Sequence, residues 1–146
     1  MSEIFVDTIR KTGGSLGADI RVKNTSVYES DGGTSVTQNM VQGLAKQWID
    51  FNGSGTVAIV DSFNSASISD EGTGDYRVNL TNAMRAQEGC INTGTGQGRD
   101  GSSPTDNNLY VNFSSTSQIL IKCRDTDQGS DEDSEMVCTS VNGDLA

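Results

Sequence analysis

The sequence predicts a mainly β protein: a small antiparallel β-sandwich over residues 53–146, preceded by an extended N-terminal arm over 1–36 and one short amphipathic helix over 37–52. Three observations predict it. Alternating apolar and polar stretches recur from residue 56 onwards, broken by Gly, Asn and Asp, which is the pattern of short strands joined by turns. One segment, Thr37 to Asp50, carries a helical period instead. Apolar residues are thin before residue 37, and Leu, Ile, Val and Phe make up only 30 of the 146 residues. That is near the roughly 20% below which highly charged chains fail to build a core. Ordering one residue's backbone costs about 1–2 kcal/mol, and one buried aliphatic side chain returns about 1.5–3 kcal/mol. Burial shared with neighbouring copies of the chain is therefore expected.

In the arm, Ile4, Val6 and Thr8 alternate on one face, followed by Ile20, Val22 and Val27. Thr12-Gly13-Gly14-Ser15 and Ser30-Asp31-Gly32-Gly33-Thr34 supply turn-rich breaks between them. Such a segment buries too little to fold by itself and suits strand addition to another surface. In the helical segment Met40, Val41, Leu44, Ala45, Trp48 and Ile49 recur on one face, while Gln38, Asn39, Gln42, Lys46, Gln47 and Asp50 take the other. Thr37 stands as its N-cap and Asn52-Gly53 as its stop. Gly43 weakens it by about 1 kcal/mol relative to Ala, so contacts must hold it. The stripe Met40, Val41, Leu44, Trp48, Ile49 is the candidate docking or trimer interface, covering either the chain's own sandwich or sister copies around a threefold axis.

In the sandwich, Thr56 to Val60 starts a strand that extends towards Phe63. Ala66 to Ser69, the turn Asp70 to Gly74, and Asp75 to Leu80 form a hairpin with Tyr76, Val78 and Leu80 inward. Leu109, Val111 and Phe113 alternate with Tyr110 and Asn112, and strands follow at Gln118–Arg124 and Met136–Val141. The polar tract from Gly89 to Asn108, with the only proline, Pro104, reads as a long loop.

Composition excludes several function classes. Ten basic residues against 20 acidic ones give a net charge of −10, and the cations are scattered, so no phosphate-binding patch and no nucleic-acid partner are expected. No apolar run approaches the roughly 18 residues of a membrane span, and the N-terminus lacks a signal-peptide layout. Histidine is absent, which removes the commonest general base, the Ser-His and Cys-His pairs and His-bearing zinc sites. Gly94-Thr95-Gly96-Gln97-Gly98 lacks the following helix that a phosphate-cradling loop needs.

Cys90, Cys123 and Cys138 read as buried free thiols, with a Cys123–Cys138 bridge open if their strands adjoin. Residues 125–135 hold six carboxylates and no cation. They read as a solvated hairpin loop, with Asp125, Asp127, Asp131 and Asp133 as weak calcium candidates that miss the EF-hand spacing. Paired carboxylates of a glycosidase are not marked by any pattern, and neither catalysis nor a cofactor is expected. Tyr110 and Tyr76 are the aromatic candidates for a sugar platform.

The run Leu44-Ala45-Lys46-Gln47-Trp48-Ile49-Asp50-Phe51-Asn52-Gly53-Ser54-Gly55-Thr56-Val57-Ala58-Ile59, then Asp61-Ser62-Phe63-Asn64 and Gly72-Thr73-Gly74-Asp75-Tyr76-Arg77-Val78-Asn79-Leu80, resembles a family of bacteriophage tail-fibre-like structural proteins of marine phages. Val22 to Asn39 is similar to the N-terminal portion of the same group, and the resemblance spans about residues 18 to 84. It implies a homotrimeric virion component without catalytic activity, at the tail tip, in a tail fibre or on the head. Arg85-Ala86-Gln87-Glu88-Gly89-Cys90 departs from the family's pattern, so no binding residues carry over. The expected role is a virion structural protein that docks to tail or capsid proteins through its arm and meets a host surface glycan or protein. The alternatives are a capsid decoration protein or head fibre, and a carbohydrate- or calcium-binding module.

Overall fold

The computed structural model describes residues 27–30, 33–39, 43–96 and 107–146. It contains ten strands: β1 (Val27–Ser30), β2 (Gly33–Asn39), β3 (Ala45–Asn52), β4 (Ala58–Phe63), β5 (Ser65–Gly72), β6 (Asp75–Leu80), β7 (Cys90–Gly96), β8 (Asn107–Ser115), β9 (Gln118–Asp125) and β10 (Met136–Asn142). β1 and β2 form a separate two-stranded antiparallel sheet. The other eight strands make a β-sandwich of two four-stranded antiparallel sheets, the first in the order β4-β3-β10-β7 and the second β5-β6-β9-β8.

The core lies between these sheets because both present alternate residues to it. On the first, Ile49 and Phe51 of β3 stand in register with Thr139 and Val137 of β10. On the second, Tyr76 and Val78 of β6 oppose Ile121 and Ile119 of β9, which in turn oppose Val111 and Phe113 of β8. Phe51 and Tyr76 meet edge to face across the sandwich, ring centroids 5.0 Å apart at 70°, a favourable aromatic geometry. The predicted hairpin at Asp70–Leu80 and its inward set Tyr76, Val78 and Leu80 are present as expected. Twelve buried apolar residues form one continuous cluster, so the sandwich has a core of its own.

Most of the described residues of the amphipathic helix expected over 37–52 are strand instead. β2 continues through Thr37 to Asn39, and β3 occupies Ala45–Asn52 between β4 and β10. In β3 the period is two: Gln47, Ile49 and Phe51 are buried while Trp48 is exposed. Two full ladders of backbone hydrogen bonds, to β4 and β10, outweigh the weak helical propensity of a segment that contains Gly43. Met40 and Val41 lie outside the described residues, as do residues 1–26 of the expected arm. The sandwich consequently begins at β3, before residue 53.

The tract at 89–108 is also not all loop. Its first part is β7, which completes the first sheet by pairing every residue from Cys90 to Gly96 with β10; residues 97–106 are outside the described residues. Cys123 and Cys138 lie in opposite sheets, on β9 and β10, so the adjacency that a bridge required is absent. None of the three cysteines is in a disulfide: Cys123 is buried as expected, Cys138 is half-buried and Cys90 is exposed. The acidic stretch is not a hairpin loop either, because it carries the chain from β9 in the second sheet to β10 in the first.

Candidate functional site

Asp125 and Asp133, two of the calcium candidates, are engaged in holding the crossover. Asp125 is buried, and its Oδ1 accepts from the backbone amides of Asp127 at 2.7 Å and Gln128 at 2.9 Å. Asp133 Oδ1 accepts from the Gly74 amide at 2.7 Å and from the Tyr76 hydroxyl at 3.1 Å. Asp131 forms an isolated bridge with Arg124, and Arg124 donates to the Gly129 carbonyl. Among the described residues no group of three or more His, Cys, Asp or Glu is placed to hold a metal ion.

Tyr76, one of the two platform candidates, is fully buried. Its phenol is pushed well above its ordinary pKa of 10.0 by burial and by the charge and hydrogen bond of Asp133. Tyr110 is 56% exposed on the outer face of β8. It stands in register with Lys122, whose ammonium donates to Asp75 Oδ2 at 2.7 Å and is held above its ordinary pKa of 10.5 by that hydrogen bond.

The expected interface stripe is divided by the strand. Ile49 points into the chain's own core, whereas Trp48 points out of the first sheet, 37% exposed, and Leu44 just before β3 is 65% exposed. Trp48 is in register with Phe63 of the edge strand β4. Phe63 is 51% and Val60 55% exposed, which makes this side of the sandwich its apolar side. Phe63 and Val60 carried no sequence signal of exposure, since an alternating apolar strand reads as core-facing.

On the other side of Trp48 the outer face becomes polar. Trp48, Ser140 and Asn92 form one row across β3, β10 and β7, and Asp50, Cys138 and Gly94 form the next. Asn92 Nδ2 donates to Ser140 Oγ at 3.5 Å, and Cys138 Sγ donates to Asp50 Oδ1 at 3.6 Å, so each pair shares the outer face. These residues line an open depression of about 420 Å3, within the ~300–1,000 Å3 typical of small-ligand sites. The depression could not be read from the sequence because it needs β7, and a segment of Gly, Thr and Asn with one Ile carries almost no strand pattern.

Comparison with protein-family models, with curated proteins and with solved structures finds no match to this chain.

Proposed function

We propose that the chain is a non-enzymatic structural component of a bacteriophage virion, in a tail fibre or at the tail tip, where three copies associate and the N-terminal arm docks to the particle. The observation that carries this reading is the apolar side of the first sheet. Val60 and Phe63 lie exposed on β4, a strand whose outer edge has no partner among the described residues, with Leu44 and Trp48 nearby in sequence and register. Edge strands that carry exposed apolar residues invite a neighbouring chain. The residues that resemble tail-fibre-like proteins fall on this same unit, β3, β4 and the β5–β6 hairpin. The absence of histidine and the structural use of Asp125 and Asp133 argue against catalysis by this chain. The separate β1–β2 sheet supports an arm distinct from the sandwich.

Sedimentation of the full chain tests the assembly. A trimer is expected, with Phe63→Lys shifting it to monomer while the circular dichroism stays that of folded β protein. A wild-type monomer at tens of micromolar would overturn the threefold reading. In particles, deletion of residues 1–36 is expected to abolish incorporation. A copy number matching the capsid lattice would move the protein from tail to head.

A further inference from the structure

We infer that the outer face of β3, β10 and β7 is a binding site for a neutral saccharide, with the indole of Trp48 as its stacking plate. The site adjoins the proposed assembly surface at Trp48, which stands in register with Phe63, but its floor on β10 and β7 lies on the far side of β3 from the β4 edge.

Strands lie about 4.8 Å apart and alternate residues on one strand about 6.7 Å apart, so the two rows of three residues cover about 10 Å by 7 Å. At the β3 end stands the largest side chain of the protein, Trp48. Beyond it the side chains are small: Ser140, Cys138 and Gly94. Gly94 leaves a true opening, because a Cβ built there meets nothing within 4 Å. A tall aromatic wall beside a floor of small residues produces the depression, and β3 and β10, which are paired on both sides, hold its wall and the middle of its floor pre-formed. Both features favour a ligand that gains from stacking without a large ordering cost.

The chemistry then narrows the class. An indole face attracts the C–H face of a sugar ring through contact area and the negative face of its π-system. Around it stand a carboxylate that accepts, an amide that donates and accepts, and a hydroxyl that does both, from Asp50, Asn92 and Ser140. The exposed floor between these groups is mostly apolar, which suits a sugar ring's face, while the groups themselves suit its hydroxyls. An anionic ligand would face Asp50 and, in register beside it on β4, Asp61, on a chain of net charge −10. A neutral saccharide satisfies both halves of the site: one apolar ring face, and hydroxyls that can each donate and accept.

The test uses the full chain. Trp48 is its only tryptophan, so indole fluorescence reports on the surroundings of this one side chain. The protein is screened on an array of neutral hexose and N-acetylhexosamine oligosaccharides, and the bound glycans are titrated by calorimetry and by Trp48 emission. At least one is expected to bind with a saturable change in emission. Trp48→Ala is expected to weaken it about tenfold or more.

Gly94→Val keeps the indole and should do the same by filling the floor. It should melt like the wild type, because the added methyls enter open space in a strand that favours β-branched residues. An array with no neutral glycan bound would overturn the site. So would binding that both variants leave intact, or emission changes given only by anionic glycans or by a basic peptide. Gly94→Val leaves Trp48 and Phe63 in place at the other end of the sheet and is expected to sediment like the wild type, so the two readings fail separately.

Discussion

The hydroxyl of Tyr76 has one proton and two acceptors, the Gly53 carbonyl at 2.8 Å and Asp133 Oδ1 at 3.1 Å. It ties together the β3–β4 turn, the β6 strand and the acidic crossover. The ring sits so close to the β3–β4 turn that a Cβ on Gly53 would lie 2.6 Å from the hydroxyl and 2.9 Å from the Ser134 carbonyl. Glycine is required there by close approach, and Gly53→Ala is expected to cost about 2–3 kcal/mol in urea unfolding. Tyr76→Phe removes the hydrogen bond and should cost about 1–2 kcal/mol at neutral pH.

The two proteins should then converge in alkali. The folded state holds the phenol's pKa above its unfolded value of 10.0, so above about pH 10 the unfolded chain loses a proton that the folded chain keeps. This contribution to stability is full below pH 10 and declines as pH rises through the raised value. Melting temperatures measured from pH 8 to 11 should fall more steeply for the wild type than for Tyr76→Phe. Parallel curves would show that the phenol ionises without a folded-state penalty.

At the scale of elements, the first passage from one sheet to the other, between β4 and β5, is made by a single residue. Asn64 lies between β4 and β5 with φ of 56°. Its Nδ2 donates to the carbonyls of Lys46 and Asn82, at 2.9 and 3.0 Å, and its Oδ1 accepts from the Asn82 amide at 2.7 Å. Asn suits both demands, since it tolerates the left-handed region and brings its own hydrogen bonds. Asn64→Ala should lose both and cost about 2–3 kcal/mol. Asn64→Gly recovers only the backbone term, so denaturant titration should place it between Ala and wild type.

The same scale explains what the sequence could and could not tell. β6, β8, β9 and β10 are legible because apolar residues alternate along them and their inward faces are mostly apolar, Asp125 and Thr139 apart. β3 was misread because it places Gln47 in the core and Trp48 outside. Gln47 is fully buried, with Nε2 donating to Ser65 Oγ at 3.0 Å. Exchanging a polar and an apolar residue between faces erases the period of two and leaves Leu44 and Trp48 at helical spacing. β7 is held by β10's hydrogen bonds rather than by apolar side chains, and only tertiary context supplies those. The candidate groove inherits both difficulties, with Trp48 and Asp50 on the misread strand and Asn92 and Gly94 on the unread one.

For the whole molecule, the decisive pairing joins the sandwich's first strand to its last. β3 and β10 are neighbours in the middle of the first sheet, with Asp50 opposite Cys138. Among the described residues β7 joins the sheet only through β10. Deleting residues 136–146 therefore removes buried Val137 and Val141 and also strips β3 and β7 of their shared partner, leaving the core open on one side. That truncated chain is expected to lose its cooperative thermal transition.

Deletion of residues 1–42 should have little effect on that transition, because the twelve-residue core cluster lies wholly within β3 to β10 and the segments between them. The sandwich alone should melt within a few degrees of the full chain, about the shift that 1 kcal/mol produces in a domain of this size. Calorimetry on both truncations decides the point. Cooperative melting without β10 would mean that the second sheet and β3–β4 suffice. Loss of cooperativity on removing 1–42 would show that the N-terminal region completes the core, and that burial is shared within the chain as well as between copies. Folding itself should be slow for the protein's size, since its central pair cannot form until segments 88 positions apart have met.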